Sequence, residues 1–351
     1  MPRLFSFDLI TRIGSVLFEA TGAPSEQARL VAEELAASSA MGHDSHGAIR
    51  IPEYIERVAR GTIIPGAKLQ VERTEGGTAI VDCGHNYGAV GAHFATATAI
   101  ELARQHKVAC VVTHRCNHVG RVGAYVEKAA DHGLIAIVTC SSPIHGHFVL
   151  PWGGKQGRLG TNPIAYAIPT GGDPIVADIS TCVAPEGKIR VYKNQGKALP
   201  EGWIVDAQGR PTTDPAAFYG PPLGAILPLG GPAGHKGYAL GLLVEILGGS
   251  LAGLAATDPT VAGNGLCFLL VDPEAFCPIE SFRSLVDATV AYIKSSNPGD
   301  VGGEVLVPGE IEFRTRRRRL AEGIPVDDAT WQAILQSARE LQVDLGPLLT
   351  T

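Results

Sequence analysis

The densest group of reactive side chains is His43-Asp44-Ser45-His46-Gly47-Ala48-Ile49-Arg50-Ile51-Pro52-Glu53-Tyr54, directly behind an apolar helix pattern. It brings two histidines, an arginine and a tyrosine together. An arginine among apolar elements is costly unless water, a substrate or a partner satisfies it. Two more polar loops follow, His114-Arg115-Cys116-Asn117-His118-Val119-Gly120-Arg121 and Ser141-Ser142-Pro143-Ile144-His145-Gly146-His147, each behind an apolar run that reads as a strand. Open α/β sheets bind ligands at the carboxyl ends of their strands. That geometry predicts that His118 and Ser141/Ser142 are neighbours.

All but one of the 11 histidines precede residue 148, which raises the question of a metal. The spacing speaks against one: there is no HExxH, no Asp or Glu stands close to His118, and His145 and His147 would point opposite ways in extended chain. A histidine exchanges a proton near neutral pH. An arginine holds a carboxylate through two parallel hydrogen bonds. Together they suit a 2-hydroxy acid, with the histidine taking the hydroxyl proton while hydride leaves the same carbon for a nicotinamide. For each histidine taken alone, a hydrogen-bonded structural role is the plain alternative. A histidine-based metal hydrolase is the competing enzyme class, and a non-enzymatic binding protein is the third reading.

The elements that must position these groups follow from the apolar pattern. Residues 1–40 read as helices; Pro24-Ser25-Glu26 opens one with a stripe of Ala28, Leu30, Val31, Leu35 and Ala36, and Met41-Gly42 stops it. The next helix begins near Pro52 and runs to Gly61, with Arg50 and Tyr54 on one face. From residue 78 strands at 78–83, 108–112 and 134–138 alternate with helices at 88–106 and 123–132, so pairing is at least partly parallel. Short strands at 164–168 and 175–178, a Pro- and Gly-rich loop stretch at 185–235, a helix at 237–247, a strand at 267–271 and a final helix at 329–341 complete an α/β (mixed α+β) chain.

The 351 residues are 45% hydrophobic with formal net charge −6, which argues against nucleic acid as a partner. The run Arg314–Arg319 reads as a solvated strand edge or helix approach, with an interface or phosphate contact as the alternative. Seven cysteines without a CxxC motif read as reduced thiols of an intracellular protein. The opening MPRLFSFDLITR has no long apolar core, and no stretch is long and apolar enough to span a membrane, so a cytoplasmic protein without membrane partners is expected.

The glycine motifs point away from common nucleotide folds. Gly84-His-Asn-Tyr-Gly88-Ala-Val-Gly91 lies between a strand and a helix, but it is not GxGxxG and no acidic residue closes the following strand. The loops with Gly153-Gly154, Gly157 and Gly160-Thr161-Asn162-Pro163, and Gly230-Gly231 through Gly234-His235-Lys236-Gly237, are better anion sites. The last runs into a helix whose free N–H groups, with Lys236, suit phosphate. No GxxxxGK[ST] is present, so ATP hydrolysis has little support.

HDSHGAIRIPEY (43–54), NHVGRVGAY (117–125), PWGG with RLGTNP (151–163), PLGGPAGHKGYALGLLVEILGGSLAG (228–253) and GGEVLVPGE (302–310) occur in order along almost the whole chain. With these segments the sequence resembles the malate/L-lactate dehydrogenase family (type 2). That family also holds sulfolactate and ureidoglycolate dehydrogenases and an imine-acid reductase, and differs in fold from the Rossmann-type lactate dehydrogenases. The resemblance implies an NAD- or NADP-dependent oxidoreductase, a homodimer acting on a small carboxylate. It also implies a non-Rossmann nucleotide-binding domain with a mixed sheet (76–324), beside a helical domain (1–75) packed with the C-terminal helix (325–351). His118 would be the proton donor or acceptor, with His46 and Arg50 binding substrate and Ser45 and Tyr54 completing that wall. The cofactor would meet Ser141, Ser142, Gly160, Thr161, Asn162, Asp178, Ile179, Ser180, Lys188, His235, Lys236, Pro308, Gly309 and Glu310. No metal is implied.

The chain departs from the family at two places. It reads Asp178-Ile179-Ser180-Thr181-Cys182 where D-x-A-[TS]-S is common, and His145-Gly146-His147 makes a longer loop than the malate enzymes carry. Ureidoglycolate or a cyclic imino acid is therefore an alternative substrate. The segment with Arg50 must fold across a nucleotide domain, its own or a dimer partner's.

Overall fold

The computed structural model describes residues 3–260, 263–299 and 303–349, so Gly302 of the last motif and the terminal residues 350–351 of the expected C-terminal helix region lie outside the described residues. A short strand β1 (Arg3–Phe5), absent from the sequence reading, precedes α1 (Phe7–Ala20). The Ser6 hydroxyl caps α1 by accepting from the Leu9 amide at 3.1 Å. α2 (Ser25–Ala40) returns against it through Ala28, Val31, Ala32, Leu35 and Ala36. At Gly14 a Cβ would fall 2.9 Å from the Ala32 Cβ, so the two helices approach closely only because that position is glycine. α2 ends at Met41 and Gly42, the latter at φ +90. A 3₁₀ turn (Asp44–His46) and α3 (Arg50–Ala59) follow.

The central layers are β2 (Gln70–Glu75), β3 (Thr78–Asp82), α4 (Gly88–His106), β4 (Val108–His114), α5 (Gly123–Asp131), β5 (Ile135–Ser141), β6 (Ile164–Ile168) and β7 (Ile175–Ile179). The stretch read as loops holds more structure than expected: α6 (Glu186–Asn194), β8 (Ile204–Val205), β9 (Pro211–Thr212), α7 (Pro215–Tyr219) and β10 (Ala225–Ile226). These elements close over their own apolar cluster, which includes Ile189, Leu199, Ile204, Phe218 and Ile226. Then come α8 (Gly234–Gly248), β11 (Gly265–Val271), α9 (Ile279–Lys294), α10 (Glu310–Glu322), β12 (Ile324–Val326), α11 (Asp328–Glu340) and α12 (Gly346–Leu349). The arginine run lies inside α10, not on a strand edge. β12 pairs antiparallel with β1, and Trp331, Ile334, Ala338 and Leu345 join Phe5, Ile13, Leu17 and Tyr54 in one core with α1–α3.

The seven-stranded sheet has the order β2-β3-β4-β11-β5-β6-β7. Among the described strands of this sheet only β3 and β4 pair in parallel; β11 lies between β4 and β5, antiparallel to both. The sheet is therefore mixed and non-Rossmann, and one expectation needs correcting. The loops after β4 and β5 do not follow adjacent strands, because β11, from much later in the chain, separates them. Asn264, just before β11, bridges the two, its amide N donating to Cys116 O and its Nδ2 to Ser141 O at 2.8 Å.

Candidate active site

His118 sits in the loop between β4 and α5, and its backbone is held from below. Asn117 Nδ2 donates to the carbonyls of Thr62, His85 and Asn86 at 2.8–3.0 Å. Gly88, the first residue of α4, lies so close that a Cβ there would overlap the Asn117 and His118 carbonyl oxygens. The side chain meets Tyr54, whose hydroxyl is 2.7 Å from His118 Nδ1 and 3.3 Å from the His118 carbonyl oxygen. Tyr54 is 2% exposed, so the phenol has no exchange with bulk water to satisfy it. When its proton points to the carbonyl, Nδ1–H donates to the phenol oxygen and Nε2 is bare. When the proton points to Nδ1, Nε2 carries the hydrogen. The phenol thus orients the ring in either proton state, the task carboxylates often perform. The His46 ring stacks on the His118 ring at 5.6 Å, 8° from parallel.

The local field keeps these imidazoles neutral. Burial, then the Arg50 charge, holds His118 well below the usual histidine value, and the same two causes lower His46 to about 3. Burial and Arg121 lower His43 to about 4. Arg50 begins α3 and is not a free cation: Nη1 pairs with Glu53, and Nε donates to Ser45 O at 2.7 Å. Glu53 also takes Arg57 at 2.7 Å. Burial pushes the Glu53 carboxyl up, and the two arginines together hold it below the ordinary value. One carboxylate between two guanidiniums leaves one positive charge over, which suits a substrate carboxylate. The Ser45 hydroxyl lies 3.1 Å from His46 Nδ1.

Beside this group opens a cleft of about 680 Å³, large enough for a cofactor-sized ligand. Ser45, His46, Thr161, Asp178, Ser180 and Lys188 from the sequence-predicted set line it. Burial raises the Asp178 carboxyl, which accepts from the Gly123 amide at 2.7 Å. The remaining predicted cofactor residues lie off this lining. Ser141 and Ser142 border a small recess with Glu245 and Gly249. Asn162 turns its Nδ2 to Gly241 O and Glu245 on α8, both at 2.9 Å. Gly160 sits where a Cβ would come 2.8 Å from that of Ser142, so the two loops approach only through a glycine. Ile179 is exposed at the end of β7, His235 meets Trp152 edge-on at 5.6 Å, and Lys236 is exposed. Pro308 accepts from Val176 N at 3.1 Å, Gly309 begins α10 at φ +97, and Glu310 pairs with Lys294.

The cleft also contains residues outside the expected site: His43 and Arg121, which belong to the polar loops singled out in the sequence, and the α10 residues Ile311, Glu312, Thr315, Arg318 and Arg319. The α10 set could have been found, since its spacing of i, i+1, i+4, i+7 and i+8 marks one helical face. Neutral serine and threonine hydroxyls beside the cations Lys188 and Arg318 form a donor set that fits a dinucleotide's riboses and phosphates. Among the described residues no three His, Cys, Asp or Glu side chains gather as a metal site, and all seven cysteines are unpaired. No helix among them is long and apolar enough to cross a membrane.

The model of the family described as malate/L-lactate dehydrogenase matches residues 5–335. The chain belongs to the malate/L-lactate dehydrogenase family. It is 35% identical over 333 residues to hydroxycarboxylate dehydrogenase B of Escherichia coli K12, covering 93% of this chain and 91% of that one. It is 35% identical over 337 residues to the L-sulfolactate dehydrogenase of Methanothermobacter thermautotrophicus, 94% of each chain. The solved structure of a putative malate/lactate dehydrogenase from E. coli superposes with a TM-score of 0.91 at 32% identity, over 99% of this chain and 98% of that one. As a malate/L-lactate dehydrogenase family member the protein is an NAD(P)-dependent dehydrogenase of 2-hydroxy and 2-oxo acids on a non-Rossmann fold.

Proposed function

We propose that the enzyme interconverts a small 2-hydroxy acid of malate or lactate type and its 2-oxo acid, with His118 moving the hydroxyl proton. The observation that carries this reading is the His118 ring, hydrogen-bonded to Tyr54 and stacked on His46, which lines the cleft. In oxidation, bare Nε2 takes the hydroxyl proton; in reduction, the protonated ring returns it. Arg50, backed by Ser45 and His46, holds the substrate carboxylate. Arg50 keeps the imidazolium unfavourable, so the proton is readily passed on. Tyr54 acts through His118 and is a positioning residue rather than part of the substrate wall.

Thr161, Asp178, Ser180 and Lys188 would hold NAD or NADP in the cleft, and the bound nicotinamide supplies the hydride acceptor or donor. The family resemblance extends the cofactor role to Ser141, Ser142, Gly160, Asn162, Ile179, His235, Lys236 and Pro308–Glu310, whose support is the motifs and not the cleft. The same proposal divides the chain into a helical unit (1–75 with 325–351) and the nucleotide unit (76–324), supported by two main apolar cores that exchange a few residues, Met41 joining the sheet core and Tyr87, Ala89 and Val90 the helical one. It places a homodimer contact on the exposed apolar residues of α8. The unpaired cysteines support a cytoplasmic setting.

The test is turnover of 2-hydroxy and 2-oxo acids with NAD(H) and NADP(H), followed by nicotinamide absorbance with a strong chelator present. Dinucleotide-linked turnover that survives chelation is expected. Hydrolytic turnover that the chelator abolishes, with no absorbance change, would establish the metal-hydrolase alternative instead.

A further inference from the structure

Helix α10 joins the cleft to the loop that carries Ser45 and His46, and it does so with one face. Glu312, Thr315, Arg318 and Arg319 line the cleft. Other arginines of the run are engaged away from it, Arg314 with Glu304 at 2.6 Å and Arg317 with Asp173 at 2.8 Å. On the cleft face three side chains, Arg319, Glu312 and Thr315, reach the segment from the end of α2 to the 3₁₀ turn. Arg319 Nη1 donates to Ser39 O at 2.6 Å, and the guanidinium meets both Asp44 oxygens, at 2.5 and 3.2 Å. Glu312 Oε1 lies 3.9 Å from His43 Nε2. Thr315 Cγ2 occupies the space beside Gly42, where a Cβ would come within 3.2 Å.

These contacts hold one junction. Ser39 lies in the last turn of α2, and its carbonyl, which also accepts from the Gly42 amide at 3.1 Å, sits at the negative end of the helix dipole, which attracts a cation. Asp44 opens the turn that His46 closes. Arg319 therefore fixes the point where a regular helix gives way to the substrate loop. Its side chain is 14% exposed, so the guanidinium is held rather than waving in water.

We propose that Arg319 is a positioning residue that couples the cleft to the substrate loop. A dinucleotide seated against α10 steadies α10, Arg319 carries that to Asp44 and Ser39, and Ser45 and His46 are set for the substrate carboxylate. Dinucleotide and substrate then bind with positive cooperativity, and by linkage each tightens the other equally. This rests on the assignment of cleft and loop made under Proposed function.

The test reads NADH and NADPH binding by nicotinamide fluorescence, with and without oxalate as a non-reacting carboxylate, in wild type, Arg319→Met, Arg319→Lys and Asp44→Asn. In wild type, oxalate tightens the preferred dinucleotide by at least about 5-fold, within the usual range of coupling between sites. In Arg319→Met that factor falls below about 2-fold while binding of the dinucleotide alone changes by less than about 3-fold, and Arg319→Lys restores part of the coupling. Binding of oxalate to the dinucleotide-loaded enzyme weakens by the same factor, as linkage requires. Should Arg319→Met fail to fold, Asp44→Asn carries the test, with the same loss of coupling expected. Coupling of wild-type size in the variants overturns the proposal. So does a loss in dinucleotide binding alone that accounts for the whole effect, since Arg319 would then be a direct contact. Wild type that binds both ligands without coupling also overturns it. Wild type that binds neither NADH nor NADPH overturns the cleft assignment itself.

Discussion

Tyr54 and His118 stand 64 residues apart in sequence and 2.7 Å apart in the fold. The types and motifs of His118, His46 and Arg50 made them legible as chemistry; the Tyr54 contact was not, because sequence spacing placed Tyr54 only relative to Arg50 on its own helix. Tyr54→Phe removes the hydroxyl that hydrogen-bonds the imidazole. Its kcat is expected to fall by about 10-fold with a smaller change in KM, part of what positioned acid–base catalysis contributes, and unchanged kcat would show that the phenol does not matter. The pH profile follows from the field at the site. Oxidation needs neutral His118, and burial with Arg50 lowers its pKa, so kcat/KM for the hydroxy acid stays level down through pH 6.5 and falls only below it. Arg50→Gln removes a cation, raises that pKa and moves the falling limb to higher pH. A limb that does not move would separate Arg50 from the proton chemistry.

Among the elements, α4 was read at its observed bounds, Gly88–His106, because a glycine opens it and alanines fill it. The reason for that glycine appears only in three dimensions, where α4 starts against the His118 loop. Gly88→Ala therefore forces the Asn117 and His118 carbonyls aside. The expected cost is about 3 kcal/mol of stability, as for an overpacked core, with loss of turnover beyond the loss of folded protein. Denaturant melts beside active-site titration check both. The insertion of β11 was invisible because its partners lie far away in sequence. α9 was missed because none of its residues is buried, so it lacks the core-facing stripe that periodicity detects. β2 is exposed along its length and gives no alternating pattern.

For the whole molecule, the two apolar cores and the mixed sheet follow the expected class, whereas the connection order of the sheet had no local signal. The surface holds a further expectation. Leu240, Leu242, Leu243 and Ile246 on α8 are 41–48% exposed, and large apolar side chains grouped at a surface mark an interaction site. In the proposed dimer they are covered. Leu243→Asp should shift the protein in sedimentation from twice the chain mass to the chain mass, and wild type already running as a monomer would remove the dimer. The central claim joins proton transfer at His118 to carboxylate capture at Arg50, and one steady-state comparison tests it directly. With the best organic acid and dinucleotide from the panel, His118→Ala should lose about 100-fold or more in kcat with little change in KM, and Arg50→Ala should chiefly raise the KM of the organic acid. Wild-type kcat in His118→Ala together with wild-type KM in Arg50→Ala would contradict the account.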